Sequence, residues 1–532
     1  MQTEFDYIIV GGGSGGCAVA GRLAEDPSIS VCLIEAGGEG KNAIIRMPSG
    51  IAAVLPTPIL NWAYKPKPSP GMNGRGGYQP RGKTLGGSSA INAMLYVRGH
   101  RGDYDEWRDL GNPGWGFDDV LPYFKRSEGN ERGGDALHGA RGPLNVAEPR
   151  SPHAISDAFL EAARESQIPL NNDFNGESQE GIGYYQVTQK NGERCSAAAA
   201  YVHPHMDQPN LTVLTRTRAL KLIIENGRCT GVRVRGPGGE RTLKAGFETV
   251  LAGGAFNSPQ LLMLSGIGPA KHLKENGIEV FVNAPEVGEN LQDHVDYITA
   301  YKSKRTDTFG LSLTGTKDIV KGIFDWRNRR TGKLTTTFAE AGGFVKSRHD
   351  LDRPDLQYHF VVGIVDDHNR KLHLGHGFSC HVCVLRPKSR GHVRLKSPSP
   401  TAKAEIQMNF LAEREDMDAL LNGFKAMRDL LNAPALAPWR HKELYTEGVT
   451  DDGELEHIIR DRADTVYHPV GTCRMGSDAG AVVDPQLRVN GVQGLRIADA
   501  SIMPRIIGGN TNAPTIMIGE RCADWLKQVR VG

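Results

Sequence analysis

The chain opens on an apolar run, Phe5 to Val10 with only Asp6 interrupting, that stops at Gly11-Gly12-Gly13-Ser14-Gly15-Gly16. Residues 17–24 then have helical texture, so the segment predicts strand, tight turn and helix. A second apolar run, 30–34, predicts a strand ending in Glu35. Residues 211–214, 219–224 and 232–234, with Leu243, predict a small antiparallel sheet with a turn at Gly236-Pro237-Gly238-Gly239. Residues 249–252 predict one more strand, running into Gly253, Gly254 and Ala255. In the second half, 355–362, 378–386 and 391–395 read as strands, and 154–166, 413–431 and 515–529 as helices, the last with Pro514 beside its first turn. Residues 317–330 form a basic amphipathic helix in which Ile319, Val320, Ile323, Phe324 and Trp326 share a side. Two readings stay open for it: packing on its own domain, or a peripheral contact with a membrane.

The front turn carries candidate chemistry. In Gly11-x-Gly13-x-x-Gly16 the first glycine permits the turn, the second lets backbone approach a pyrophosphate, and the third lets helix and strand pack closely. The helix start offers unpaired N–H groups to phosphate. Glu35 lies near the spacing at which an acid accepts ribose hydroxyls, which favours FAD or NAD over NADP. Residues 80–94 contain Gly86-Gly87-Ser88-Ser89, a glycine-rich loop suited to lying against a ligand.

Composition narrows the class. The 532 residues imply two or more domains, and a formal charge of +2 gives no electrostatic case for nucleic acid. No cluster suggests a metal site. The eight cysteines show no disulfide framework, as expected of reduced thiols, and Cys380-x-x-Cys383 sits in an apolar strand pattern that suits structural cysteines. No run is long and apolar enough to span a bilayer, so the expectation is a cytoplasmic protein, with peripheral association to the inner membrane as the variant reading.

Together these motifs resemble the glucose–methanol–choline (GMC) family of flavoprotein oxidoreductases. The likeness is carried by the front turn, the loop 80–94, residues 254–268, residues 287–294 and residues 466–476, in that order along nearly the whole chain. Within the family the chain is most similar to bacterial choline-dehydrogenase-like and membrane-associated FAD alcohol dehydrogenases. The resemblance implies an α/β fold: a Rossmann-like FAD-binding domain (1–150, 205–294 and 461–532), a flavin-covering bridge (151–204) and an α+β substrate domain (295–460), a mostly antiparallel sheet backed by helices. It implies cofactor contacts from Gly11, Gly13, Ser14, Gly16, Glu35 and Ala36, and from Arg81, Gly86, Gly87, Ser88, Asn92, Ala93, Met94 and Leu95. Ala219, Gly253, Asp499, Ala500, Asn512 and Thr515 complete the set. Some members attach FAD through a His just before the Asn of the first signature; here that position is Ile91, so noncovalent FAD is expected.

The family's catalytic pair falls on His468 and Asn512, with Tyr467 and Glu340 toward the substrate; Glu340 also reads as a structural carboxylate. Alcohol oxidation needs a base for the hydroxyl proton while hydride leaves for the flavin, and imidazole titrates in the right range. Asn512 orients the same oxygen without adding charge. The implied activity is oxidation of primary aliphatic or aryl alcohols to aldehydes, with electrons passed to a quinone-type acceptor. Choline as substrate, O2 as acceptor and a hydroxynitrile lyase are the alternatives.

Overall fold

The structure, a computed structural model, describes residues 2–151 and 153–531. Two sheets dominate it. The first runs in the order Leu211–Leu214, Val31–Ile34, Glu4–Val10, Gly239–Leu251, Arg228–Gly236, Arg218–Glu225, with Leu495–Ile497 also paired to Gly239–Leu251. Its central strand is a near-continuous apolar run because both faces are covered: Tyr7, Ile8 and Ile9 have no exposed surface. Helix α1 (Ser14–Ala24) and the last helix, Asn512–Val531, pack on each other against one face.

The expected small antiparallel sheet is not separate. The thirteen-residue strand Gly239–Leu251 pairs antiparallel with Arg228–Gly236 over its first half and parallel with Glu4–Val10 over its second. At roughly 3.3 Å per residue it is long enough to leave the hairpin and run through the core. Leu211–Leu214 lies at the opposite edge, parallel to Val31–Ile34. Pattern alone shows that these segments are strands, but partners depend on where the chain returns in space.

The second sheet runs Lys442–Leu444, Val295–Ser303, Gly375–Val384, Leu356–Val361, Ala341–Val345, Gly181–Tyr184, all antiparallel. A helix at Arg414–Leu431 covers one face through Met417, Leu420, Phe424 and Met427. The stretch read as a bridge contributes here: Gly181–Tyr184 is the edge strand, and the helix Ala154–Glu165 stacks Phe159 on Phe360 at 4.4 Å. Cys380 and Cys383 point to opposite faces of Gly375–Val384, and both are free and buried.

Helix α2 (Leu313–Arg329) departs from the expected grouping. Its buried side is Gly315, Gly322 and Trp326, the indole donating to the Gly192 carbonyl at 2.9 Å. Ile319, Val320, Ile323 and Phe324 are exposed. Small residues let the backbone settle on the protein, so the apolar stripe faces outward.

Candidate active site

A cavity of about 760 Å³ lies where the parallel strands end, at Val10, Ile34 and Leu251, and reaches to His359, Val361 and His381 of the second sheet. This is the position at which open α/β sheets bind ligands. Gly11, Gly13, Ser14, Glu35 and Ala36 line it, as do Arg81, Gly87, Ser88, Asn92, Ala93, Met94 and Leu95. Ala219, Gly253, Asp499, Ala500, Asn512 and Thr515 complete that part of the wall, and Tyr467 and His468 line the reaction end.

Three expected residues lie elsewhere. Gly16 is beneath the turn, where an added Cβ would sit 2.0 Å from the Gly11 carbonyl oxygen; its role is close packing. Gly86 donates its N–H to the Gly12 carbonyl at 2.7 Å, tying the second glycine loop to the first turn. Glu340 is buried behind the wall formed by Thr337, Phe338 and Ala339. Neither of its carboxylate oxygens has a hydrogen-bond partner of good geometry, and burial raises it to about 8, the nearby Thr336 hydroxyl and Thr337 N–H offsetting only part.

The turn suits a diphosphate. Gly11 adopts φ +114°, which Gly accommodates without strain, and an added Cβ at Gly13 would meet no protein atom closer than 3.7 Å. Helix α1 starts at Ser14 without a side-chain cap, leaving its first N–H groups to an occupant of the cavity. Glu35 accepts from the Gly12 and Gly37 N–H groups at 3.1 and 2.6 Å, and burial raises it to about 7. Its spare lone pairs on the wall fit a ribose diol. Asp499 accepts from the Gly254 N–H, the Ser258 hydroxyl and the Ser501 N–H at 2.6–2.8 Å, which pins the strand end beside the turn. Arg194, buried without a carboxylate and pulled down to about 9 by desolvation, donates to the Ile45 and Asn92 carbonyls and the Asn92 Oδ1, bracing the 80–94 loop from behind.

The reaction end is built on His468. Its backbone N–H donates to Asp293 Oδ1 at 2.8 Å, and Asp293 also accepts from Gln79 and Thr465. The His468 and His294 rings meet Nδ1 to Nδ1 at 3.0 Å, and His294 Nε2 lies 3.1 Å from the Ile507 carbonyl. A carbonyl only accepts, so the His294 proton sits on Nε2 and its Nδ1 is bare. His468 must then donate from Nδ1, which leaves its Nε2 lone pair toward the cavity. Both rings are neutral: burial lowers His294 to about 3 and His468 well below its ordinary value.

The group at that lone pair is Asn510, whose Nδ2 is 3.3 Å from His468 Nε2 and whose Oδ1 accepts from Gln357 at 3.0 Å. His468 and Asn512, the expected catalytic pair, both line the cavity. Asn512 begins the last helix and its Oδ1 accepts from the Ser14 hydroxyl at 2.7 Å, which draws it to the glycine turn while it still lines the cavity. Tyr467 takes φ +76°, its carbonyl accepts from Arg81 and its hydroxyl meets His368 Nδ1 at 2.8 Å. Such backbone strain collects at functional sites.

Sequence reasoning passed over Asn510, Gln357, His294, His359 and His381. His294 stood inside the quoted 287–294 motif, and Asn510 two residues before Asn512. His359 and His381 are direct cross-strand partners, a relation visible only once the register is known.

The fold and cavity define a dinucleotide-dependent oxidoreductase with a buried imidazole, that of His468, on the cavity wall. A family model described as GMC oxidoreductase, in N- and C-terminal parts, matches residues 5–296 and 387–519, and the chain belongs to that family. It is 45% identical over 524 residues to an alcohol dehydrogenase [acceptor] of Pseudomonas putida, covering 98% of this chain and 95% of the relative. It is 41% identical over 536 residues to human mitochondrial choline dehydrogenase, covering 99% and 90%. A solved Aspergillus oryzae formate oxidase variant, studied for modification of its FAD, superposes with a TM-score of 0.91 at 28% identity over 99% of each chain. FAD is the group that this cavity takes.

Proposed function

We propose that this protein oxidises primary alcohols, aliphatic or aryl, to aldehydes and passes the electrons to a quinone-type acceptor. The carrying observation is the His294–His468 pair, which presents a bare Nε2 at the cavity's reaction end. FAD, when bound, supplies the hydride acceptor. His468 Nε2 takes the hydroxyl proton. The alcohol then occupies the lone pair that Asn510 now meets, freeing the Asn510 N–H, held by Gln357, to donate to the alcohol oxygen. Ser14 holds Asn512 Oδ1 and so leaves the Asn512 Nδ2 donor for a cavity occupant. Arg81 and Tyr467 fix the backbone beside the base.

Neutral alcohols are favoured over choline because the acids lining the cavity, Glu35 and Asp499, both stand at the cofactor end. The outer wall is Phe309, Phe338, Ile364 and Val365. Glu340 lies behind that wall, so its influence on the substrate is indirect. Ile91 presents an alkyl side chain to the cavity, which supports noncovalent FAD. The Pseudomonas relative is named as a dehydrogenase that uses an acceptor, which supports passage of the electrons to a separate acceptor. No helix among the described residues is long and apolar enough to cross a membrane, so reaching a lipid-soluble acceptor calls for a peripheral contact.

Anaerobic flavin reduction with choline, long-chain and benzylic alcohols tests the reading. Long-chain or benzylic alcohols should bleach the flavin faster than choline. His468→Ala should keep its yellow colour and slow reduction by about 10²–10⁴-fold. Normal rates in that variant would refute the base, and hydrogen peroxide formed stoichiometrically in air would refute the acceptor.

A further inference from the structure

A second series of acid–base groups stands on the cavity wall, beginning one residue from His468. The Tyr467 hydroxyl lies 2.8 Å from His368 Nδ1, and His368 Nε2 lies 3.0 Å from Asp464 Oδ2. A carboxylate only accepts, so the His368 proton sits on Nε2, its Nδ1 is bare, and the phenol donates to it. Every donor in the series therefore points away from the cavity. Tyr467 and His368 line the cavity, whereas Asp464 stands behind them, opposite Asp296 of Val295–Ser303. Asp464 is held there by the Tyr78 and Thr465 N–H groups at 3.0 and 2.8 Å. Both ends of the Tyr467–His368 bond rest on disfavoured backbone. Asp367, His368 and Asn369 take φ +45°, +56° and +63°, and Tyr467 takes φ +76°.

The alcohol-oxidising reading leaves one proton to be moved on. His468 takes it from the hydroxyl, but a charged His468 is poorly placed. Its ring nitrogens meet His294 and Asn510, and Asp293 accepts from its backbone N–H instead. The charges that act on the ring are those of His294, His359 and Arg81, all of them unfavourable. A charged His368 would face the Asp464 carboxylate at 3.0 Å, with Arg75 at 4.0 Å from that carboxylate offsetting only part. In a low-dielectric interior an imidazolium beside a carboxylate is strongly preferred to one without a counter-charge. Burial pushes the Tyr467 phenol up, so it hands on its proton only in exchange for another.

We propose that the His368–Asp464 pair, reached through the Tyr467 hydroxyl, takes over the proton that His468 removes from the alcohol. One cavity water connects the two sides. It gains the proton from His468 Nε2 and gives one of its own to the Tyr467 oxygen, while the phenol proton passes to His368 Nδ1. Three bonds to hydrogen break and three form, and no electrons change hands. What remains is a neutral His468, a neutral phenol and an ion pair of His368 with Asp464. Because His368 lines the cavity, solvent entering as the aldehyde leaves collects the proton by the reverse exchange. The inference rests on the alcohol-oxidising reading of the site.

The test uses the FAD-loaded full chain and His368→Gln, whose amide can accept from the phenol and donate to Asp464 but cannot take up a proton. Nitrogen-15 histidine NMR at pH 8 without substrate, with His368 assigned by its absence from the variant, should show the neutral Nε2–H tautomer. In stopped flow without oxygen, the variant's first flavin bleaching by alcohol should stay within about threefold of wild type, since His468 still takes the proton. Steady-state kcat with ferricenium, a one-electron acceptor, should fall about tenfold or more, because His468 enters the next turnover still charged. Added imidazole should restore most of that loss. An Nδ1–H tautomer at His368, or a variant with wild-type kcat, would overturn the proposal. So would bleaching and kcat falling together without rescue by imidazole, which would mean that His368 only holds Tyr467 in place. The tautomer measurement needs no turnover, so a wild-type flavin that no alcohol bleaches counts against the activity reading and not against the arrangement of these protons.

Discussion

Replacing His294 by Leu should disable the base without touching the substrate. The substitution removes the acceptor 3.0 Å from His468 Nδ1. His468 is then left with an unpaired buried N–H, or moves its proton to Nε2, where the Asn510 N–H already points and donor meets donor. A net hydrogen bond is worth about 1 kcal/mol, and an orphaned buried donor about 1–3 kcal/mol. A loss of roughly 1.4–2.8 kcal/mol in the competent arrangement corresponds to about 10- to 100-fold in rate. His294→Asn is the control, because its Oδ1 stands near the place of the imidazole Nδ1 and still accepts. Stopped-flow flavin reduction at saturating alcohol, without oxygen, reads the step directly. The Leu variant should lose about 10- to 100-fold in limiting rate with KM little changed, and the Asn variant should stay within about fivefold of wild type. A Leu variant as fast as wild type would refute the tautomer argument. So would an Asn variant as slow as the Leu variant at equal melting temperature, since His294 would then matter only by its shape.

Two further outcomes follow from the buried groups. Glu340 titrates near 8 in the fold against an ordinary 4.5, so the folded protein holds the extra proton between those values and stability falls as pH rises across that window, by at most roughly 5 kcal/mol. Glu340→Gln should therefore gain melting temperature over wild type at pH 8 relative to pH 5, and a difference independent of pH would show that the carboxyl is not held protonated. Ile91 cannot bond covalently to flavin, so acid precipitation should leave the yellow colour in the supernatant; colour in the pellet would contradict noncovalent FAD.

The local signals in the chain determined the cofactor half. The apolar run 5–10, the glycine turn and Glu35 specify strand, turn, helix and acceptor within about thirty residues, because short-range sterics and hydrogen bonding suffice for each. The pattern also showed that α2 is helical and amphipathic. Only the tertiary structure decided which of its sides is buried: Gly315 and Gly322 allow close approach on one face, a fact about neighbours and not about the helix. The same holds for His468, the proposed base. Sequence singled out His468 by its motif, but its bare Nε2 depends on His294, the Ile507 carbonyl and Asn510 meeting it from separate stretches of chain. Proton position in a buried imidazole is set by the partners that close around it, and no spacing along the chain encodes them.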